Sequence, residues 1–203
     1  MGRNENHIVL AGLAGKMPER SHTSHGVSYL QVPLRVSRLS GVEDVVNVVL
    51  TREQLDCRPV APGQCLRVEG EVRSYNNRSG CGSKLVITVC ARQLHTWVGE
   101  HINELTLEGA LCKPPVLRQT PLGREICDLL LAVNRRYSRS DYLPCIAWGG
   151  LAVWCARLRV GDRVRLKGRL QSRVYTKQTG GEPERRTAYE VSVMSLEPVH
   201  PLE

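Results

Sequence analysis

Apolar and polar side chains alternate over long stretches of the chain, with the two-residue period of a β-strand that has one buried face. The clearest stretch is Arg163–Tyr175, where every second position up to Arg169 is basic and the positions between are apolar or glycine. Largely apolar runs at Ile126–Val133 and Tyr142–Trp148 are typical of more deeply buried strands. One short helix is predicted over Leu151–Leu158, because glycines bound it on both sides. The predicted strands of this half are Glu104–Leu111, Ile126–Val133, Tyr142–Trp148, Arg163–Tyr175 and Tyr189–Leu196.

The two halves of the chain repeat each other. Asn6–Gly12 matches Asn103–Gly109 at an offset of 97 residues, and the offset slips to 98 where Gly70 matches Gly168. Further pairs at the first offset are Lys16 and Lys113, Pro18 and Pro115, Gly26 and Gly123, Leu34 and Leu131, Arg38 and Arg135, and Asp44 and Asp141. One register held over so long a segment indicates an internal duplication. The first half therefore predicts the same elements: strands Ile8–Met17, Tyr29–Val36, Asp44–Leu50, Gln64–Tyr75 and Lys84–Ala91, with a helix near Arg52–Cys57.

Three strands, a helix and two more strands are the element order of the OB-fold, a five-stranded Greek-key barrel that binds oligonucleotides. We therefore predict an all-β chain with two tandem OB-fold barrels, each carrying one short helix. The predicted boundaries are residues 1–95 for the first barrel, 96–102 for a linker and 103–203 for the second barrel. Gly70 and Gly168 recur inside long strands, which predicts a bulge or bend where each barrel closes.

Charge and composition narrow the functional classes. Lysine and arginine number 28 against 20 aspartate and glutamate residues, so the net charge of +8 favours an anionic partner such as nucleic acid. No apolar run reaches the length of a membrane helix, so we predict no membrane partner. The eight cysteines form no C-x-x-C pair, which argues against a zinc site. Cys90, Cys127 and Cys145 lie in apolar runs, which favours free thiols in a reducing cytoplasm, although the even number leaves a disulfide scaffold as the alternative. No carboxylate pair lies beside a histidine or nucleophile, so we predict no enzymatic activity, no metal and no cofactor.

Three motifs of the second half resemble the bacterial single-stranded DNA-binding proteins. They are Asp141-Tyr-Leu-Pro-Cys-Ile-Ala-Trp-Gly149, then Gly168-Arg-Leu-Gln-Ser-Arg173 before Tyr175, and Arg186-Thr-x-Tyr-Glu-Val191. The resemblance covers about residues 103–197, and the first half shares it only through the repeat. It implies a nucleoid-associated protein that binds single-stranded DNA in replication, recombination or repair. Because the family usually assembles four barrels, it also implies a homodimer of this two-barrel chain.

The resemblance implies that bases stack on three rings, at Tyr142, Trp148 and Tyr175. Arg169 and Arg173 lie on one face of the predicted fourth strand and are expected to meet phosphates. The loop between the second and third strands is the expected groove wall. The complete predicted DNA-binding set is Tyr142, Trp148, Tyr175, Tyr137, Arg135, Arg136, Arg139, Arg169, Arg173 and Lys177. Elementary physics agrees, since a π face stacks on any base and arginine offers a charge and a planar fork for phosphate.

The first half lacks the stacking rings, because Val45 and Thr51 occupy the positions of Tyr142 and Trp148. We therefore predict that the second barrel is the main DNA-binding barrel and that alanine at Tyr29 and Tyr75 leaves binding nearly intact. Two alternatives stay open. One is an RNA-binding OB-fold protein. The other is a primosome-type adaptor with weak DNA affinity, favoured because the sequence ends without the acidic tip usual in the family. Trp154, on the predicted helix, is expected to be a core residue.

Overall fold

The computed structural model describes residues 5–77, 83–135, 139–178 and 183–199, which form twelve strands and two short helices. The N-terminal half contains β1 (Asn6–Ala14), β2 (Glu19–Ser24), β3 (Val27–Ser37), β4 (Glu43–Thr51), α1 (Arg52–Cys57), β5 (Cys65–Asn76) and β6 (Leu85–Thr96). The C-terminal half contains β7 (Ile102–Leu111), β8 (Val116–Gln119), β9 (Glu125–Asn134), β10 (Ser140–Trp148), α2 (Gly150–Cys155), β11 (Arg163–Lys177) and β12 (Glu184–Pro198). Neither helix is long and apolar enough to cross a membrane.

Each half closes its strands into a barrel with the same connectivity. The strand order of the N-terminal half is β2-β3-β4-β6-β5-β1, and β1 also pairs with β3. The strand order of the C-terminal half is β8-β9-β10-β12-β11-β7, and β7 also pairs with β9. The pairs β4–β6 and β10–β12 are parallel, as a Greek-key return requires. The prediction of two tandem OB-folds in an all-β chain is confirmed.

The described residues divide into two compact units whose bounds differ from the two halves of the sequence. The N-terminal unit consists of His7–Glu104 and Gln171–Ala188. The C-terminal unit consists of Leu105–Leu170, Tyr189–Glu203 and Met1–Asn6, in the part of each range that the structure describes. The far end of the β11–β12 hairpin therefore belongs to the N-terminal unit, although its strands begin and end in the C-terminal one.

The short edge strands β2 and β8 are additional to the five strands predicted for each barrel. The residues of β8 are exposed, as are those of β2 up to Thr23, so neither strand shows the alternation that marks a half-buried strand. A tight turn makes β2 possible, because His25 and Gly26 both have positive φ angles, of 48° and 76°. Two such residues form the turn that joins adjacent antiparallel strands most readily.

The predicted second helix ends earlier than the sequence indicated, at Cys155 and not at Leu158. The amides of Arg157 and Leu158 donate to carbonyl oxygens three residues back, at 3.1 Å each. Spacing of this kind is the tighter 3₁₀-type turn that often ends a helix. The first helix, Arg52–Cys57, has the bounds that the sequence predicted.

Alternation along β5 and β11 separates the barrel core from the outer surface. On β11, Val164, Leu166 and Leu170 are fully or almost fully buried, while the basic residues between them face outward. The same pattern holds on β5 with Leu66 and Val68. Because side chains alternate strictly, the charged positions of both strands lie on the outer face of each barrel.

Burial governs the chemistry of the cysteines in the C-terminal unit. Desolvation raises the pKa of the Cys155 thiol to about 12 and raises that of the fully buried Cys145 thiol as well. Both thiols therefore stay protonated at neutral pH and behave as small apolar groups of the core. The seven cysteines that the structure describes are all free.

Glycines stand where neighbouring strands approach most closely. A Cβ atom on Gly70 would lie within 3.0 Å of the Cys90 carbonyl oxygen, and one on Gly168 would lie equally close to that of Ser192. The register of β5 against β6 shifts between Glu69 and Gly70, so the bulge predicted at this glycine is present. The recurrence of the close approach at Gly168 explains why the glycine repeats in both halves.

We expect Gly168→Ala to lower the free energy of unfolding by about 1–3 kcal/mol, the usual cost of overpacking. The reason is that the added methyl group meets a backbone carbonyl that cannot rotate away. Urea unfolding measures the change. Gly150→Ala is the matched control, because a Cβ at that position has no atom within 4 Å. An equal loss of stability in both variants would contradict the close-approach explanation.

Candidate nucleic-acid interface

Tyr142 and Trp148 expose their rings on β10 in the C-terminal unit. The exposed fractions are 49% for Tyr142 and 41% for Trp148, so neither ring is part of the barrel core. They are six positions apart, an even number that directs both to the same side of a strand, about 20 Å apart along it. Gly149 follows with a φ of 59°, which turns the chain into α2 directly after Trp148. Both side chains therefore lie at the surface of the barrel.

Tyr175 lies on the β11–β12 hairpin beside the Arg173 guanidinium group. The Arg173 guanidinium carbon is 5.9 Å from the centre of the Tyr175 ring, within the range of a cation–π contact. Across the hairpin, a hydrogen bond to Glu184 at 2.7 Å raises the pKa of Arg186, with a smaller contribution from Tyr175. The half-buried ring is therefore in contact with one guanidinium, that of Arg173.

Hydrogen bonds fix this hairpin inside the N-terminal unit. The Ser172 amide donates to Asp44 Oδ1 at 2.7 Å, and the Val45 amide donates to Ser172 Oγ at 2.9 Å. Farther along, Ser83 Oγ donates to the Thr187 carbonyl at 2.9 Å. The predicted site therefore divides: Arg173 and Tyr175 belong to the N-terminal unit, whereas the rings on β10 belong to the C-terminal unit.

Arg135 holds a buried carboxylate. Its guanidinium makes a two-pronged ion pair with Asp141, whose side chain is 0% exposed. The equivalent residues of the repeat do the same, since Arg38 donates to both oxygens of the buried Asp44 at 2.6 and 2.7 Å. Because a buried carboxylate needs such a partner, the Arg135 guanidinium is committed to the fold. The backbone carbonyl of Arg139 accepts a hydrogen bond from the Arg135 amide. The side chain of Arg139 is exposed.

The outer face of β11 carries two kinds of basic residue. Arg163 pairs with Glu108 at 2.8 Å, and Arg165 pairs with Glu108 at 3.1 Å and with Glu5 at 3.2 Å. Lys167 is exposed and Arg169 is half-buried, and neither forms an ion pair with any described residue. The Nε of Arg169 is buried without a hydrogen-bond partner among the same residues. As far as the described residues go, positive charge is therefore uncompensated in the middle of this strand.

The equivalent strand of the N-terminal half carries carboxylates at the same positions. With the offset of 98, Glu69 and Glu71 of β5 match Lys167 and Arg169. A hydrogen bond from Arg67, with a smaller contribution from His7, lowers the pKa of Glu69, so this residue stays charged. Glu71 in turn accepts from Arg73 and Arg92. The outer face of β5 is thus internally neutralised, and the outer face of β11 is not.

Three predicted site positions lie outside what the structure describes. They are Arg136, Tyr137 and the side chain of Lys177.

The prediction that Trp154 is a core residue is wrong, because Trp154 is 37% exposed. On α2 the buried residues are Ala152 and Cys155, and Trp154 lies at least 100° from both around the helix. The spacing of these two small residues is the sequence signal that could have oriented the helix correctly.

Two closed OB-fold barrels with exposed rings and an uncompensated basic strand define a tandem OB-fold protein of the nucleic-acid-binding type. Residues 102–199 match the single-strand binding protein family. The single-stranded DNA-binding protein of Thermus thermophilus is 38% identical, over 97% of this chain and 85% of that protein. That of Deinococcus radiodurans is 25% identical, over 90% of this chain and 72% of that protein. The chain belongs to the single-strand binding protein family.

A solved structure shows the same architecture over the whole chain. The crystal structure of the single-stranded DNA binding protein from Thermus aquaticus superimposes with a TM-score of 0.82 and 27% identity. The superposition covers 100% of this chain and 96% of the Thermus aquaticus chain. The family resemblance inferred from the second half is therefore confirmed for both halves.

Proposed function

We propose that this protein binds single-stranded DNA with little base preference, in DNA replication, recombination or repair. The observation that carries the proposal is the exposure of the Tyr142 and Trp148 rings on β10, in the same barrel as the uncompensated Lys167 and Arg169. The relatives that bear the name single-stranded DNA-binding protein support it. In this proposal two chains form a homodimer with four barrels. Light scattering of the free protein tests this, because it gives the molar mass of the assembly.

The mechanism combines stacking with phosphate neutralisation. An exposed aromatic ring contributes about 1–3 kcal/mol for each base that stacks on it, whichever base it is. Lysine and arginine neutralise phosphates and release counterions, so affinity falls as salt rises. The aromatic rings therefore bind the bases, and the basic residues of β11 determine how strongly the affinity depends on salt.

A tryptophan-fluorescence titration with oligo-dT at about 50 and 200 mM salt tests the proposal. We expect quenching that weakens at the higher salt concentration, because a base covers Trp148 and the phosphates compete with salt. The Trp148→Phe variant is the control, since Trp97 and Trp154 remain in it and the quenching should largely disappear. Competition with oligo-U distinguishes DNA from RNA binding. Absence of both quenching and a gel-mobility shift would refute the proposal and favour a protein-binding adaptor.

A further inference from the structure

The N-terminal barrel carries an aromatic ring at the rung where the C-terminal barrel carries Trp148. In the C-terminal half, Trp148 pairs across the ladder with Ile126. In the N-terminal half, the matching rung pairs Thr51 with Tyr29, which the offset of 97 equates with Ile126. Directly paired residues of antiparallel strands project to the same side of the sheet. At this pair of positions the C-terminal barrel has its ring on β10, and the N-terminal barrel has its ring on the paired strand β3.

Tyr29 is one half of a stacked aromatic pair. The His22 ring on β2 lies parallel to it, with ring centres 4.7 Å apart and an angle of 8° between the planes. The register of β2 against β3 shifts between Arg20 and His22, and this bulge brings His22 opposite Tyr29. Bulges commonly redirect a side chain in this way. His22 is exposed, so the stacked pair lies at the surface of the barrel.

The same barrel carries an exposed cation, since the Arg92 side chain on β6 is 63% exposed. Its ion pair with Glu71, at 3.1 Å, is a surface contact of small energy. An exposed guanidinium offers a charge and a planar fork to a phosphate of a bound strand.

We propose that His22 and Tyr29 form a second nucleobase-stacking site, in the N-terminal unit, for an unpaired base of the bound strand. The inference rests on the proposed function. It revises the expectation, drawn from the sequence alone, that alanine at Tyr29 leaves binding nearly intact. The sequence alone does not show that Tyr29 pairs with Thr51, because that pairing depends on the strand register.

The test compares oligo-dT of about 10 nucleotides, within the site size of one OB-fold, with oligo-dT of about 35 nucleotides. Tyr29→Leu removes the ring and should weaken binding of the longer strand about fivefold or more, with little change for the shorter one. Tyr29→Phe keeps a ring and should bind the longer strand like the wild type. Unchanged affinity of Tyr29→Leu for the longer strand would overturn the inference, as would an equal loss in Tyr29→Phe. Wild-type protein that binds neither strand would instead refute the proposed function.

A fluorescence readout separates direct stacking from a structural role of Tyr29. Tyr29→Trp in the Trp148→Phe background places a reporter at the proposed site. We expect the longer strand to quench this double variant more than it quenches Trp148→Phe alone. Equal quenching in the two proteins would mean that no base reaches position 29 and would contradict the inference.

Discussion

Replacing both Tyr142 and Trp148 by leucine is expected to weaken oligo-dT binding at least about 30-fold. Each ring contributes about 1–3 kcal/mol when a base stacks on it, and leucine offers no flat face. Both rings are about half exposed, so their loss should change the free energy of unfolding little. The anisotropy of a fluorescently labelled oligo-dT measures the affinity without depending on tryptophan.

Trp154→Leu is the matched control for this prediction. It removes a ring of similar exposure, 37%, from the same unit but from the face of α2 that carries no predicted site residue. We expect its affinity to equal that of the wild type. The salt dependence should also stay the same in the double leucine variant, because no charge is removed. A loss of affinity in Trp154→Leu as large as in the double variant would mean that the stacking surface lies on the helix.

Periodicity and local motifs were sufficient to predict the barrels. Alternation along β11 and its repeat along β5 gave the strands, and the duplication transferred the order from one half to the other. The first helix lies where the repeat predicted it, and its cap is local: Thr51 Oγ accepts the Gln54 amide at 3.2 Å, and the Gln54 side chain accepts the Thr51 amide at 2.8 Å. Interactions within three residues leave a signature that a sequence displays directly.

The edge strands and the helix orientation could not be predicted in the same way. β2 and β8 bury almost nothing, so no alternation marks them, and only the turn at His25 and Gly26 gives a signal. Trp154 looked like a core residue because large apolar side chains are usually buried. The helix is too short for its apolar face to be read from periodicity, and two small residues face the barrel instead.

The division of the site between two units depends on interactions that are distant in sequence. Asp44 and Ser172 are 128 residues apart, yet their hydrogen bond holds the hairpin that carries Tyr175. Motif matching placed Tyr175 correctly along its strand but carried no information about which unit the strand end joins. The ion pair between Arg135 and Asp141 was not predicted either. An arginine in a loop beside a groove can pair with a phosphate or with a carboxylate, and the residue type does not distinguish the two.

The second large expected effect concerns charge. Exchanging Lys167 and Arg169 for glutamate places on β11 the residues that β5 carries at Glu69 and Glu71. We expect affinity for oligo-dT at about 50 mM salt to fall at least tenfold. The dependence on salt should become shallower, by about 0.7 in the logarithmic slope for each phosphate that the protein no longer neutralises. The fold should tolerate the exchange, since neither residue forms an ion pair with a described residue.

Net charge alone could lower affinity, so the control must change it equally. Arg52→Glu with Arg157→Glu does so at two exposed positions outside the proposed site. Long-range attraction is screened beyond about 10 Å at 0.1 M salt, so this pair should lower affinity far less. Equal losses of affinity in the two double variants would show that the position of the charge on β11 is irrelevant and would contradict the proposed phosphate binding.

The reciprocal exchange, Glu69→Lys with Glu71→Arg, tests whether neutralisation is what limits the N-terminal barrel. It adds two cations to β5 and releases Arg67, Arg73 and Arg92 from their carboxylate partners. If the C-terminal barrel dominates because its strand is uncompensated, this variant should bind oligo-dT more tightly and with a steeper salt dependence than the wild type. Unchanged affinity and slope would mean that DNA does not approach β5 at all, and that the difference between the barrels lies in their rings rather than in their charge.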